Sequence, residues 1–339
     1  MSIRSNSQSS KNRIESQPHL KYLVHANSTP SFHLKPSSSS TKMQLSFVTL
    51  DAFTSTRYTG NPVAIVQVPA SIAPSLTQAQ KQSIASEFNL SEIVFLHLPE
   101  EGTAPTERNI DIFTHQAEVP FAGHPTIGTS HYLLKTVGER VDTIITKAGP
   151  IPISVDEQTG NVKAEIPQDF HIHEVTYKCD LNAKENSTIS IAKGMSFIFV
   201  RLESLEDLVK ADELKNLHGD TYDPSSLDEG WKVGLVGTMY FVAQGTDELG
   251  RKKYRTRMFG SREDPGTGSA SSGLGCYLAG LEGKETGKGP IKFVFEQGVE
   301  MGRRNVISVE VTRGEGGEGV EKVALSGAAV TVMEGKLEV

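Results

Sequence analysis

The sequence predicts an α+β protein built from two similar β-rich halves, each with one buried helix, and a ligand cleft between them. Three observations predict it. After residue 43 the chain is dominated by short β-rich runs bounded by turn residues, with few helical periodicities. A pattern at 117–134 recurs at 262–279. In both copies a glycine falls inside the expected helix, where it costs about 1 kcal/mol relative to alanine, so the two halves share a packing need.

Length and composition bound the possibilities. A chain of 339 residues is long enough for two domains. With 37% hydrophobic and 22% charged residues it has the composition of a soluble globular protein. No apolar run reaches membrane-spanning length, so no membrane partner is expected. The net charge of −7 argues against nucleic acid as a partner, because phosphate binding needs a basic surface. The two cysteines, Cys179 and Cys276, are far apart and match no metal or redox spacing, which suggests a reducing, cytoplasmic setting. Residues 1–42 are Ser-rich and carry a single acid, Glu15. They read as a disordered leader or an upstream start before Met43; the alternative is a transit peptide for mitochondrial or other organelle import.

The elements follow in order. "QLSFVTLDAF" and "PVAIVQVP" are strands around "TSTRYTGN", a hairpin-like start. "TQAQKQSIASEF" is a helix with Ala79, Ile84, Ala85 and Phe88 turned inward, and "EIVFLHL" is a strand. "VDTIITKAGPIPISVD" and "VKAEIP" are strands around turns, and "SLEDLVKADELKNL" is an acidic amphipathic helix. "WKVGLVGTMYFVAQG", "KYRTRMFG", "IKFVFEQG", "VISVEVTR" and "KVALSGAAVTVM" are further strands, in a pattern that reads as antiparallel.

The repeat carries the chemistry. At an offset of 145 (Gly268 against Gly123), Glu118 meets Glu263, Pro120 meets Pro265, His124 meets Ser269, Gly128 meets Gly273 and Tyr132 meets Tyr277. Each copy is a small-residue turn leading into a helix, expected to start near His124-Pro125 and near Ser269. Pro suits the first helical position. Unpaired N–H groups and the helix dipole favour an anion there. Taken singly, Ser269 reads as an N-cap and Gly268 as a turn residue; the duplication favours a shared anion site.

Other motifs fail. "GTGSAS" has its acids before the glycines, unlike a dinucleotide fingerprint, and no lysine follows to make a phosphate loop. No G-x-S-x-G elbow occurs. His171 and His173 share one strand face without a third ligand at suitable spacing, so they read as surface histidines. No metal or other cofactor is expected.

"GNPVAIV", "NLSEIVF", "EVPFAGHPTIG", "EDPGTGSA" and "QGVEMGR" occur in that order. With these strings the chain from about Met43 to Val339 resembles the phenazine-biosynthesis PhzF-like family, which shares the diaminopimelate epimerase-like fold. The resemblance implies two pseudo-symmetric domains, each a curved antiparallel sheet wrapped around a central helix. It divides the chain into a leader at 1–42, halves at 43–168 and 169–325, and a final strand within 326–339 returning to the first half. A homodimer is compatible with it. The family's best-understood member isomerises a dihydro-hydroxyanthranilate by moving a proton without metal or organic cofactor. Carried over residue by residue, the acid/base glutamate is Glu92, the active-site histidine His124, the aspartate Asp264 and the helix-cap serine Ser269. Asn61, Ser91, Gly123 and Gly268 line or support the cleft. The two cysteines of related epimerases fall on Ala122 and Pro265, so a two-thiol mechanism is not available. The chain departs from the family at Asp111 (usually Arg), at His115 (usually Pro), in the short loop Gly260-Ser261-Arg262 and in "GRRN" at 302–305.

The resulting expectation is a cofactor-independent isomerase acting on a small carboxylate-bearing metabolite. The alternatives are a non-catalytic small-molecule-binding or interaction protein on the same scaffold, and a lyase or cyclase in the same cleft.

Overall fold

The computed structural model describes residues 43–339, and the leader lies outside the described residues. The first half contains strands β1 (Gln44–Ala52), β2 (Asn61–Val68), β3 (Ile93–His97), β4 (Glu107–Phe113), β5 (Glu118–Val119), β6 (Thr143–Thr146), β7 (Gly149–Val155) and β8 (Val162–Glu165). Its helices are α1 (Gln78–Phe88) and α2 (Gly123–His131), the latter continuing as a π-helical turn to Val137. The second half contains β9 (His171–Cys179), β10 (Lys184–Ala192), β11 (Gly194–Arg201), β12 (Gly234–Thr246), β13 (Lys252–Phe259), β14 (Glu263–Asp264), β15 (Ile291–Gln297), β16 (Asn305–Arg313) and β17 (Val320–Gly327). Its helices are α3 (Leu205–Leu214) and α4 (Gly268–Gly280). The last strand, β18 (Ala329–Glu338), crosses back and pairs antiparallel with β1.

The strand pairings make the duplication explicit. The first sheet runs β18–β1–β2–β3–β4–β6–β7–β8 and the second β9–β10–β11–β12–β13–β15–β16–β17, with β5 on β4 and β14 on β13. Registers repeat as well: Phe113 faces Glu118 as Phe259 faces Glu263. The sheets join along β8 and β17, with Ala164 opposite Leu325.

The expectation of an antiparallel pattern needs one correction. Each half contains two parallel pairs, β2 with β3 and β4 with β6, matched by β11 with β12 and β13 with β15. The connections explain them. A parallel pair needs a crossover, and α1, α2, α3 and α4 supply the four crossovers. The sheet is therefore mixed, and the α+β class stands.

The central helices are buried nearly all round. α2 packs against β8, β1, β2, β3 and β18, so the sheet wraps it from one end to the other; α4 packs likewise against β16, β10, β17, β11 and β15. This closeness explains the paired glycines. A Cβ on Gly128 would lie 2.7 Å from Val63 Cγ1 on β2, and one on Gly273 would lie 3.2 Å from Phe199 on β11, the equivalent strand. On α1, Ala79 is exposed, against expectation, while Lys81 is buried with Ala85. Lys81 turns inward because Asp111 on β4 receives it at 2.5 Å. No helix among the described residues is long and apolar enough to cross a membrane.

Candidate active site

Glu92 stands at the entry to β3, immediately after α1. α1 opens with a capping box between Thr77 and Gln80 and closes at Asn89 in a left-handed conformation, which turns the chain into Ser91-Glu92. Asp264 arrives from the repeated turn of the second half. Because Glu263 and Asp264 are neighbours on a strand, their side chains diverge. Glu263 makes a bidentate pair with Arg257 at 2.7 and 2.8 Å, and Arg257 also donates to the Leu208 and Val209 carbonyls of α3. Asp264 turns the other way, toward Asn61 and Thr267. One carboxylate anchors the turn and the other serves the site.

The two helix N-termini meet at their first residues. A Cβ on Gly123 would lie 2.8 Å from Gly268 Cα, and one on Gly268 would lie 3.0 Å from Gly123 Cα. Only glycine on both sides permits this approach. The helix starts differ slightly from expectation: Gly123 and Gly268 are the first helical residues, with Ala122 and Thr267 as N-caps. Pro125 is thus third in its helix, still within the turn whose N–H groups have no intrahelical partner. Ser269 is second in its helix, not a cap; it is half-buried, and its hydroxyl has no partner among the described residues. The N-cap Thr267, not Pro265, is the structural equivalent of Ala122. Neither is a cysteine, and Cys179 and Cys276 are buried elsewhere in the fold.

His124 lies between the acids. Its Nε2 is 3.7 Å from Glu92 Oε2 and has no hydrogen-bond partner among the described residues, although it is buried. Asn61 Nδ2 reaches His124 Nδ1 at 3.4 Å, Asp264 Oδ1 at 3.0 Å and the Gly266 carbonyl at 2.9 Å. An amide has two hydrogens, so the long contact to His124 is the weakest of the three. Asp264 also accepts from Thr267 Oγ1 at 2.6 Å and from the Gly266 N–H at 3.3 Å. The side chain of Glu92 is 23% exposed and that of His124 only 5%, so solvent reaches the group from the Glu92 side.

Burial sets the ionisation. It raises the Glu92 carboxyl above its ordinary 4.5, opposed by the Ser91 hydroxyl, Arg262 and His115. Ser91 Oγ lies near that carboxyl without a partner of good hydrogen-bond geometry. Burial lowers His124 to about 4, against the pull of Asp264 and the Pro62 carbonyl, so the imidazole is neutral near pH 7. Asp264 is raised above 3.8 by burial and then by the Glu92 charge, with His124, Thr267 and Gly266 opposing. Two departures seen in the sequence, His115 and the short loop ending in Arg262, thus both act on Glu92.

The scaffold is duplicated but the functional groups are not. Ile93 faces Phe113 as Thr238 faces Phe259, so Glu92 corresponds to Gly237. At the same offset His124 corresponds to Ser269 and Asp264 to Val119. Three supporting residues, Thr267, Gln297 and Asn305, escaped the sequence reading. Gln297 donates to the Asp264 carbonyl at 2.7 Å and to Thr267 Oγ1 at 2.9 Å, and Asn305 donates to the Pro265 carbonyl at 2.6 Å. Of these, Gln297 falls in the string "QGVEMGR", Thr267 in "EDPGTGSA" and Asn305 in the "GRRN" departure, none of which marks its role. His171 and His173 lie apart from this group. His173 is buried, not on the surface, because Ser190 and the segment carrying Asp228 cover it.

The duplicated sheets, each packed around one buried helix, have the epimerase-like fold. A family model described as phenazine biosynthesis-like protein matches residues 50–335, and the chain belongs to that family. A trans-2,3-dihydro-3-hydroxyanthranilate isomerase from Pseudomonas fluorescens is 32% identical over 304 residues, covering 86% of this chain and 98% of the relative. A PhzF-family protein from Bacillus anthracis superposes with a TM-score of 0.67 at 24% identity, over 88% of this chain and all of that one. A hydroxyproline epimerase from Agrobacterium vitis has the same fold, with a TM-score of 0.55 at 14% identity over 87% of this chain and 91% of that one. The chain is an isomerase of the PhzF type.

Proposed function

We propose that this isomerase moves a proton on a small carboxylate-bearing metabolite held where its two halves meet, using its own side chains and no cofactor. The observation that carries this reading is the convergence of Glu92, His124 and Asp264 beside two helix N-termini in contact at Gly123 and Gly268. Glu92, half-buried and with its pKa raised, takes the proton from carbon and returns it to another atom. Asp264, held by three hydrogen-bond donors, positions or polarises the substrate, and Glu92 is the proton carrier. Neutral His124 presents an unpartnered ring nitrogen to a polar atom of the substrate. The N–H groups at Gly123, Gly268 and Ser269 receive the carboxylate or a developing enolate.

The asymmetry of the groups favours this reading over racemisation at one carbon. A racemase of that kind places a base on each face, whereas Gly237 stands where a second Glu92 would be. Arg262, exposed and without an ion pair among the described residues, adds positive charge beside Glu92 for an anionic substrate.

The test uses trans-2,3-dihydro-3-hydroxyanthranilate as the first of a panel of unsaturated small carboxylates. Wild type, Glu92→Gln and Ser269→Ala are each scored for turnover and for ligand affinity. Glu92→Gln should lose about 10²–10⁴ or more in rate with affinity largely kept, because the amide is nearly isosteric but cannot ionise. Ser269→Ala keeps its backbone N–H but removes the hydroxyl beside it, a further donor to the carboxylate, and should weaken binding first. Wild-type turnover by Glu92→Gln would remove Glu92 from the role of base.

A further inference from the structure

We infer that His171, His173 and Asp228 form a binding site for one divalent transition-metal ion of the zinc class, separate from the candidate active site. The sequence shows two histidines on one face of β9 and no third ligand nearby. The fold supplies the third from the segment between α3 and β12, where Asp228 comes to lie against β9. The candidate donor atoms of the three residues all lie within 4.8 Å of one another.

The local contacts aim these atoms at a common point. His173 is fully buried, and its Nε2 lies 2.8 Å from Ser190 Oγ, which in turn lies 2.6 Å from Ser196 Oγ. The backbone N–H of Asp228 donates to His173 Nδ1 at 3.4 Å, which shows that the Nδ1 lone pair faces the aspartate segment; an ion would displace this long hydrogen bond. Orienting the far ring nitrogen through a hydrogen bond is how proteins commonly fix a metal-binding imidazole. Asp228 Oδ1 is occupied by the Glu174 N–H at 3.2 Å, which leaves Oδ2 facing both rings, 2.7 Å from His171 Nε2 and 3.5 Å from His173 Nδ1. Trp231 stacks on the His171 ring at 4.6 Å and 10°, fixing its plane.

Charge favours a cation here. Among the described residues no lysine or arginine pairs with Asp228; its ionic partners are the two imidazoles. Lys193, the nearby cation, lies over the Trp231 ring instead. Two histidines and one carboxylate are the ligand chemistry of zinc and its neighbours, with bonds of about 2.0–2.2 Å and donors therefore roughly 3.3 Å apart. The closing movement falls on His171, which is the most exposed of the three at 35%. The ion would tie the irregular segment at 215–233 to β9, the outermost strand of the second sheet.

Zinc is the probe, with full-length protein stripped of metal by a chelator. Equilibrium dialysis and thermal melting are compared for wild type, His171→Gln and Asp228→Asn; these half-exposed sites avoid disturbing buried His173. Circular dichroism without zinc confirms that the variants fold. Wild type should bind one zinc per chain and melt at a higher temperature with zinc, reversibly on chelation. Each variant should bind at least about tenfold more weakly and lose the thermal gain. His218→Gln, which alters a histidine of the same segment outside the group, should bind like wild type. No zinc binding by wild type, or equal binding by the His171 and Asp228 variants, overturns the inference.

Discussion

At the scale of single residues, the candidate site stores a cost that its chemistry requires. Glu92 is raised above its ordinary 4.5 chiefly by burial. The folded state then binds more protons than the unfolded state over the interval between the two pKa values, and stability falls as pH rises through it. Glu92→Gln carries no such penalty. The variant should therefore gain on wild type as pH rises from below 4.5 toward neutrality, by about 0.5–2 kcal/mol at the upper end. Urea denaturation at a series of pH values measures the gap; a gap that shrinks as pH rises would show that burial of the carboxylate is not its source. Glu92 illustrates what the sequence could convey at this scale. A glutamate at a strand start is ordinarily exposed, and only "NLSEIVF" set among the other strings marked it. Thr267, Gln297 and Asn305 gave no comparable sign, because their roles depend on backbone carbonyls and carboxylate oxygens brought together from distant strands.

At the scale of elements, Asp111 shows how a departure from the family pattern is accommodated. Its carboxylate receives Lys81 Nζ from α1 at 2.5 Å and His97 Nε2 from β3 at 2.8 Å. The group links β3, β4 and α1, the elements that frame Glu92. Although burial works against it, these partners hold the Asp111 carboxyl below its ordinary 3.8. A depressed carboxylate stabilises the fold above the ordinary value and loses that contribution as pH falls through it. Asp111→Asn should thus destabilise at neutral pH by more than the ~0.2–1 kcal/mol of an exposed pair and less than the ~3–5 kcal/mol of a fully buried one, since the side chains of Lys81 and Asp111 are 10% and 24% exposed. The difference from wild type should close in acid below 3.8; a difference independent of pH would mean that packing, not charge, is at stake. Elements were the most legible level of the sequence. β1, β2, β3, β6 and β7 follow from their alternation and turns. β10 and β11, in "STISIAKGMSFIFV", have apolar residues as regular as these but no comparable turn signal between them beyond Lys193-Gly194. Parallel pairing was not legible, because it depends on where each crossover helix returns the chain.

At the scale of the whole molecule, the duplication could be read from one repeated string, but the ties between the halves could not. Arg303, within the "GRRN" departure, supplies one such tie. From the loop after β15 it donates to Asp51 Oδ1 at 2.9 Å and to the Gly60 and Thr59 carbonyls at 2.9 and 3.2 Å. It thereby clasps the β1–β2 turn of the first half, and the next residue after Gly60 is Asn61, which holds Asp264. The same turn is fixed by the Val306 N–H to Phe53 C=O and the Gly60 N–H to Arg304 C=O. Asp51 is almost fully buried, and its carboxyl is raised above 3.8 by burial, with the Tyr58 N–H and then Arg303 opposing. Arg303→Ala removes the opposing charge and leaves Asp51 buried beside a single donor. The loss should fall short of the ~3–5 kcal/mol of a fully buried pair, because the Arg303 side chain is 32% exposed. Without the guanidinium the folded pKa of Asp51 climbs further, so the deficit should be largest at neutral pH and shrink as pH falls below the ordinary 3.8, where the acid is neutral in both states. Arg303→Lys should restore only part of the stability, since a lysine cannot reach three oxygens with one planar fork. Turnover should fall in Arg303→Ala even under conditions where it is fully folded, because Asn61 loses its fixed approach to Asp264. Unchanged turnover with reduced stability would confine Arg303 to holding the halves together, and unchanged stability would show that the two backbone hydrogen bonds suffice to tie them.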